Sequence, residues 1–163
     1  MLLKGSCHCK AVQFECNSHS PYPYMRCYCS ICRKTAGGGG YAINIMAESA
    51  SLKVTGKESI SIYQAILESG KSDGEQKSSA RRHFCKNCGS CLWVFDPSWP
   101  ELIHPFASAI DTPLPKPPEY IHMMLDSAAN WCRVPEETND IHFRHYPSLS
   151  IEEWHKKHRL WIS

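Results

Sequence analysis

Seven cysteines stand at spacings that suit metal chemistry. They fall as Cys7-x-Cys9, Cys27-x-Cys29-x2-Cys32 and Cys85-x2-Cys88, and Cys91 extends the last group by one more x2 step. Thiolate is the soft ligand that zinc favours, and structural zinc takes four ligands in a tetrahedron. Cys85-Lys86-Asn87-Cys88-Gly89 has the form of a knuckle, with Gly89 allowing the tight backbone return after the second sulfur. Cys7-x-Cys9 reads as an extended segment with both thiols on one side, since strand side chains repeat every two residues. Neither pair fills a tetrahedron alone. Joined, Cys7, Cys9, Cys85 and Cys88 would close a four-cysteine zinc site that ties the N-terminal segment to the middle of the chain. Such a crosslink would stabilise the fold substantially.

Cys27, Cys29 and Cys32 remain, three thiolates within six residues. They can share one metal and leave its fourth position open, the arrangement of catalytic zinc. Arg33, Lys34 and the run Gly37-Gly38-Gly39-Gly40 follow. Two cations and a flexible connector there would suit an anionic thiol substrate, while the plain reading of both charges is solvated surface. A disulfide framework would instead belong to a secreted protein. An iron–sulfur cluster could begin at Cys85, Cys88 and Cys91, but Val94-Phe95-Asp96 follows where a fourth cysteine would stand. Cys16 continues the apolar face of Val12 and Phe14, so it reads as packing. Cys132 reads as a buried, unliganded thiol. Cys91 could point into the sheet, approach the second metal or be a spare reactive thiol.

The rest of the chain has to position these groups. At 163 residues it suits one domain with a real core. Ten cysteines are roughly 6% of the residues, below the level of a disulfide scaffold. Met1-Leu2-Leu3-Lys4-Gly5 lacks the features of a signal peptide, and no apolar run is long enough for a membrane span. The expected setting is therefore soluble, cytoplasmic and thiol-reducing, where cysteine clusters point to metal or catalysis. A formal charge of +2 gives no case for nucleic acid.

Alternation predicts mostly strands. Ala11–Cys16 sets Val12, Phe14 and Cys16 on one face, and Tyr41–Met46 sets Tyr41, Ile43 and Ile45 together. Ser59–Leu67 follows through Ile60, Ile62 and Ile66. Arg81–Phe84 and Cys91–Phe95 flank the cysteine turn, and Leu102–Ala107 and Tyr120–Leu125 are weaker, with Pro105 pointing to an edge. Glu68–Ser79, holding Gly70 and Asp73-Gly74, reads as a long hairpin loop. Thr112–Pro118 carries four prolines in seven residues and reads as an extended connection. One helix is expected, at the C-terminus. Ser150-Ile151-Glu152-Glu153 is a capping box, Ile151, Trp154, His155 and His158 share a face, and Trp154 should pack on the sheet.

Three blocks then resemble one known family. Gly5-Ser6-Cys7-His8-Cys9-Lys10-Ala11-Val12-Gln13-Phe14, Cys27-Tyr28-Cys29-Ser30-Ile31-Cys32-Arg33-Lys34 and Phe84-Cys85-Lys86-Asn87-Cys88-Gly89-Ser90 are similar, in order, to motifs of the glutathione-dependent formaldehyde-activating enzymes. That family includes the centromere protein V group. The resemblance spans about residues 3–95. It implies a mainly β structure, the zinc-containing β-tent fold, here with a short C-terminal helix. It implies residues 3–135 as the zinc-binding β domain and 136–163 as an extension packed on it. It implies a structural zinc on Cys7, Cys9, Cys85 and Cys88 and a catalytic zinc on Cys27, Cys29 and Cys32, the same partition that spacing suggests. The implied activity is that of a carbon–sulfur lyase, reversibly joining glutathione and formaldehyde to S-(hydroxymethyl)glutathione. Cys91 departs from the family, where proline or another non-ligand is usual.

Glutathione's thiol would then enter the open position, lose its proton there and attack the aldehyde. His8, between two ligands, should point away from the metal, and His83 reads as a surface strand residue, so no general base is assigned. The same ligands would also serve a non-catalytic glutathione carrier or a zinc-built interaction module. A chromatin role would call for a basic low-complexity tail, which the sequence does not show. Seven thiolates and two zinc ions add −7 and +4, which turns the formal +2 into −1.

Overall fold

The computed structural model describes residues 1–67, 76–136 and 139–163. In chain order its strands are β1 (Leu2–Ser6), β2 (Gln13–Asn17), β3 (Met25–Cys27), β4 (Ala42–Ile43), β5 (Ala47–Glu48) and β6 (Lys53–Thr55). Then come β7 (Ile60–Leu67), β8 (Gln76–Cys85), β9 (Cys91–Phe95), β10 (Leu102–Pro105), β11 (Ile121–Met123) and β12 (Ile141–His142). The helices are α1 (Ser30–Ala36) and α2 (Ile151–Lys157). The strands form three sheets, ordered β1-β2-β6, β5-β10-β9-β8-β7 and β12-β11-β3-β4. This is a mainly β chain with a short C-terminal helix, as the sequence implies. No helix among the described residues is long and apolar enough to cross a membrane.

One core joins the sheets. Leu3, Phe14 and Cys16 from the first sheet, with Val12 just before β2, pack in one core with Leu92, Trp93, Val94 and Ile103 from the second. Phe14 meets Trp93 edge-on at 5.2 Å, a favourable aromatic arrangement. Cys16 is fully buried in this core, as packing predicts. A second, smaller cluster holds α2 in place. Its Ser150 capping box is complete, and buried Trp154 stacks on Tyr24 at 3.9 Å.

Several expectations are corrected. Ala11 lies outside β2, which begins at Gln13. The segment 41–46 is broken, with β4 ending at Ile43 and isolated bridges at Asn44 and Met46. Its strict alternation fails because Ala42, Ile45 and Met46 are the buried residues. Ile62 and Ile66 do not face a core. They are 56% and 52% exposed because β7 is the last strand of its sheet. Residues 76–79 belong to β8 rather than to a loop, while Gly70 and Asp73-Gly74 lie outside the described residues.

Pro105 is not on an edge strand either. β10 pairs with β5 through Leu102 and Ile103 and with β9 through His104 and Pro105. Phe106 N–H donates to Leu92 in β9, so the backbone of Pro105 faces the other way. There it needs only its carbonyl, which accepts from Ile45 N–H. Finally, α1 was not expected, and its cause lies in the cysteines themselves.

Buried imidazoles make the fold sensitive to acid. His122 and His155 are fully buried, and burial pushes both, with half-buried His104, below the ordinary histidine value. The unfolded chain therefore takes up protons first as pH falls, so their contribution is complete above about pH 6.5 and is lost below it. His19 runs the opposite way, raised by the Ile162 carbonyl and Glu48, but it is a partly exposed pair of small effect. The melting temperature should hold between pH 7.5 and about 6.5 and fall from there to pH 5.5. His155→Gln should flatten that slope, with metal content followed in the same samples.

Candidate metal centres

The first cluster is built from two similar turns. Cys7 N–H donates to the Val12 carbonyl and Lys10 N–H to the Cys7 carbonyl, each at 3.0 Å. Across the site, Cys85 N–H donates to Ser90 at 2.9 Å and Gly89 N–H to Cys85 at 2.8 Å. Each turn closes through a residue with positive φ, Lys10 at 61° and Gly89 at 74°. Gly89 thus has the role its place in the sequence suggests. Cys7-x-Cys9 does not: it is a turn, not an extended segment, and the two sulfurs converge because the backbone folds back.

Each turn contributes one buried sulfur, Cys7 or Cys85, and one exposed sulfur, Cys9 or Cys88. The four sulfurs lie within 4.8 Å of one another. Cys9 Sγ is 3.5 Å from Cys7 Sγ and 3.7 Å from Cys85 Sγ. Ligands about 2.3 Å from a tetrahedral zinc stand about 3.8 Å apart, so the donor set fits such an ion. Ser90 links the turns, accepting from His8 N–H at 3.0 Å and meeting Cys88 Sγ at 3.2 Å. Its hydroxyl and backbone N–H, with the Cys9 backbone, pull the Cys88 thiol down to about 5. The His8 side chain is exposed, and no sulfur–imidazole contact involves it among the described residues.

The second cluster brings Cys27, Cys29 and Cys32 within 4.8 Å of one another. Cys27 ends β3, where it pairs with Ala42 of β4 and Met123 of β11. Cys29 is the N-cap of α1, its sulfur accepting from Cys32 N–H at 3.3 Å. The helix therefore starts between two cysteines of the cluster and carries Cys32 on its first turn. Sequence rules look for Ser, Thr, Asp or Asn at that position, and here a thiolate does the same work. Hydrogen bonds from Cys27 and Cys32 pull Cys29 down to about 2, while its interactions with Cys29 and Cys32, together with burial, push Cys27 up. Three thiolates this close repel one another, so all three ionise together only with a cation between them. An all-sulfur set of three fits a metal that retains a fourth position.

A buried chain of polar groups orients this segment. Tyr28, between Cys27 and Cys29, is fully buried. Its hydroxyl meets His122 Nδ1 at 2.9 Å, and His122 Nε2 meets Asp140 Oδ2 at 2.9 Å. Asp140 Oδ1 also accepts from Tyr120 N–H at 2.9 Å. A neutral His122, protonated at Nε2, satisfies both contacts. Nothing in the spacing of Tyr28, His122 and Asp140 marks this network in the sequence.

The other candidates divide. Lys34 is exposed, as surface charge would be, whereas Arg33 is half-buried with Nε unpartnered. Cys91 joins neither cluster, and its thiol donates to the Thr35 carbonyl at the end of α1. Cys132 is half-buried rather than buried and donates to the Gly39 carbonyl at 3.3 Å. It packs on Gly40, where φ is +91° and a Cβ would stand 2.4 Å from its sulfur. The glycine run is thus constrained at Gly40 and open at Gly38. His83 stacks on Trp93 at 5.1 Å. Arg82, which sequence reasoning passed over, is buried, and its charge favours the thiolates of Cys32 and Cys91. Its signal was a cation in phase with Ala80 on a strand.

The region of the chain that matches a known family contains both clusters. A family model described as glutathione-dependent formaldehyde-activating enzyme matches residues 2–126. A curated Halomonas elongata protein, provisionally named a glutathione-dependent formaldehyde-activating enzyme, is 56% identical over 157 residues, 96% of either chain. A crystal structure of a Rhodobacter sphaeroides protein is 29% identical and superposes with a TM-score of 0.52. That match covers 69% of this chain and 91% of the other.

Proposed function

Because the chain belongs to the glutathione-dependent formaldehyde-activating enzyme family, we propose that it is a zinc-dependent carbon–sulfur lyase. Its reaction joins a small thiol such as glutathione to a small aldehyde such as formaldehyde, giving S-(hydroxymethyl)glutathione. The observation that carries this reading is the cluster of three sulfurs, Cys27, Cys29 and Cys32, beside a separate cluster of four. Four sulfurs complete a closed, structural site on Cys7, Cys9, Cys85 and Cys88. Three leave room for one substrate sulfur. That seven cysteines gather as possible metal ligands supports a reducing, cytoplasmic setting.

A zinc ion on Cys27, Cys29 and Cys32 would supply the acidity that converts a bound thiol to thiolate near neutral pH. The rest falls to the chain. The Cys29 cap and the Tyr28–His122–Asp140 network fix the three sulfurs, so the incoming thiol is held in one orientation rather than many. Sulfur then attacks the carbonyl carbon, the carbon–oxygen π pair moves to oxygen, and the proton lost by the thiol is restored to that oxygen from solvent. The reverse sequence cleaves the adduct.

NMR exchange spectroscopy of glutathione and formaldehyde tests this. The metal-loaded protein should raise the exchange rate in proportion to its concentration. A rate equal to buffer, with both centres loaded, would show a carrier or an interaction module instead.

A further inference from the structure

Asp140 lies beyond residue 126, where the match to the family model ends, in the segment just before β12. Its side chain is nevertheless only 4% exposed. It accepts two hydrogen bonds, from Tyr120 N–H at Oδ1 and from His122 Nε2–H at Oδ2, both at 2.9 Å. His122 is held on its face as well, because His142 stacks on it at 4.7 Å and itself donates to the Pro135 carbonyl at 2.8 Å. At the other edge of the imidazole stands the Tyr28 hydroxyl, donating to Nδ1 at 2.9 Å. Buried polar groups of this kind often hold a fold no better than apolar packing would, so their placement calls for a use.

The use lies at the end of the chain of bonds. The Cα of Tyr28 stands one peptide unit, about 3.8 Å, from those of Cys27 and Cys29. Its N–H donates to the Met123 carbonyl of β11 at 3.0 Å. Held at both backbone and hydroxyl, residue 28 does not turn without moving the two cysteines beside it. The C-terminal segment is laid on the same strands. β12 pairs with β11 through Ile141 and His142, and Phe143 N–H donates to the His122 carbonyl at 2.8 Å. Trp154 of α2 stacks on Tyr24, one residue before β3. Asp140 is where that segment reaches the second cluster through side chains.

We propose that Asp140 is a positioning residue for the centre formed by Cys27, Cys29 and Cys32, coupling the seating of residues 139–163 to metal retention there. The inference rests, as the proposed function does, on a metal at that centre, and it holds whether or not the centre is catalytic. Asp140 acts through His122 and Tyr28 rather than on the metal itself. Its second oxygen fixes His122 as the Nε2–H tautomer, which leaves Nδ1 bare for the Tyr28 hydroxyl. Asparagine has one acceptor oxygen for the same two donors. Kept on Tyr120 N–H, it turns its NH2 toward Nε2. The imidazole proton then moves to Nδ1, and Tyr28 loses its acceptor. Turned to His122, it sets its NH2 against Tyr120 N–H and disturbs the start of β11.

Cadmium NMR of the full chain, with a resonance for each cluster, and chelator competition for zinc test this. Asp140→Asn should shift the three-sulfur resonance, leave the four-sulfur resonance in place, and weaken retention of the second metal about 10–100-fold. Tyr28→Phe should do the same. The double variant should be no worse than either single one, because both cut one chain of bonds. Linkage is reciprocal, so the Ile141 and Phe143 amides should exchange about tenfold more slowly in the doubly loaded wild type than in Cys29→Ser. Second-metal retention in Asp140→Asn within threefold of wild type would overturn the inference, as would additive losses in the double variant. A wild type that retains one metal only would overturn it together with the proposed function. A wild type inactive in glutathione–formaldehyde exchange, yet showing the coupling, would remove the activity alone and support the inference. Should Asp140→Asn fail to fold, Tyr28→Phe and the amide exchange decide.

Discussion

Cys85→Ser is expected to leave a chain that does not fold. Cys85 is fully buried, closes its own turn by backbone hydrogen bonds, and lies 3.7 Å from Cys9 Sγ, a residue 76 positions away. Losing one sulfur of four opens the site and strands the other three thiols. Structural zinc sites of this type contribute about 10–16 kcal/mol, as much as or more than the 5–15 kcal/mol that holds a typical domain together. Far-UV circular dichroism and proton NMR dispersion should both report an unfolded or aggregated product. Cys132→Ser removes an equally free thiol that belongs to no cluster, and it should keep native dispersion. A folded Cys85→Ser protein that still binds two metals would remove the structural role assigned to the four-cysteine site.

Cys29→Ser should have the opposite profile, with the fold kept and the chemistry lost. Serine is a good N-cap, so its hydroxyl replaces the sulfur as acceptor for Cys32 N–H while withdrawing the thiolate from the cluster. Metal content should fall from two equivalents to one, and the exchange rate should drop to the buffer value. Cys29→Ala should lose the same metal and, in addition, about 1 kcal/mol of stability from the missing cap. The serine–alanine difference thereby separates the two duties of one sulfur. Retention of both metals in Cys29→Ser would show that Cys29 is a cap and not a ligand.

The grouping of the cysteines within each motif was legible because spacing is a local property. Cys85-x2-Cys88-Gly89 states its turn outright, and Cys27-x-Cys29-x2-Cys32 keeps three sulfurs within reach of one another whatever surrounds them. The capping box at Ser150 was legible for the same reason. What escaped depends on distant partners. The exposure of Ile62 and Ile66 follows from the place of β7 in its sheet, which its own alternation cannot express. Pro105 looked like an edge residue because its sequence does not say which way its backbone faces. Helix α1 was missed because its cap is a cysteine. His122 and Asp140 come to Tyr28, between two cysteines of the second cluster, from β11 and the segment before β12, and only the fold brings them there.

The separation of Cys9 from Cys85 also has a consequence during synthesis. Chains emerge at about 5–20 residues per second, so the 76 positions between these ligands correspond to roughly 4–15 s. Throughout that interval Cys7 and Cys9 are born without their partners, while Cys27, Cys29 and Cys32 emerge together within about a second. With metals held as proposed, the nascent chain would complete its three-sulfur cluster well before its four-sulfur one. On that reading, its yield should rise with reductant and zinc supplied during synthesis.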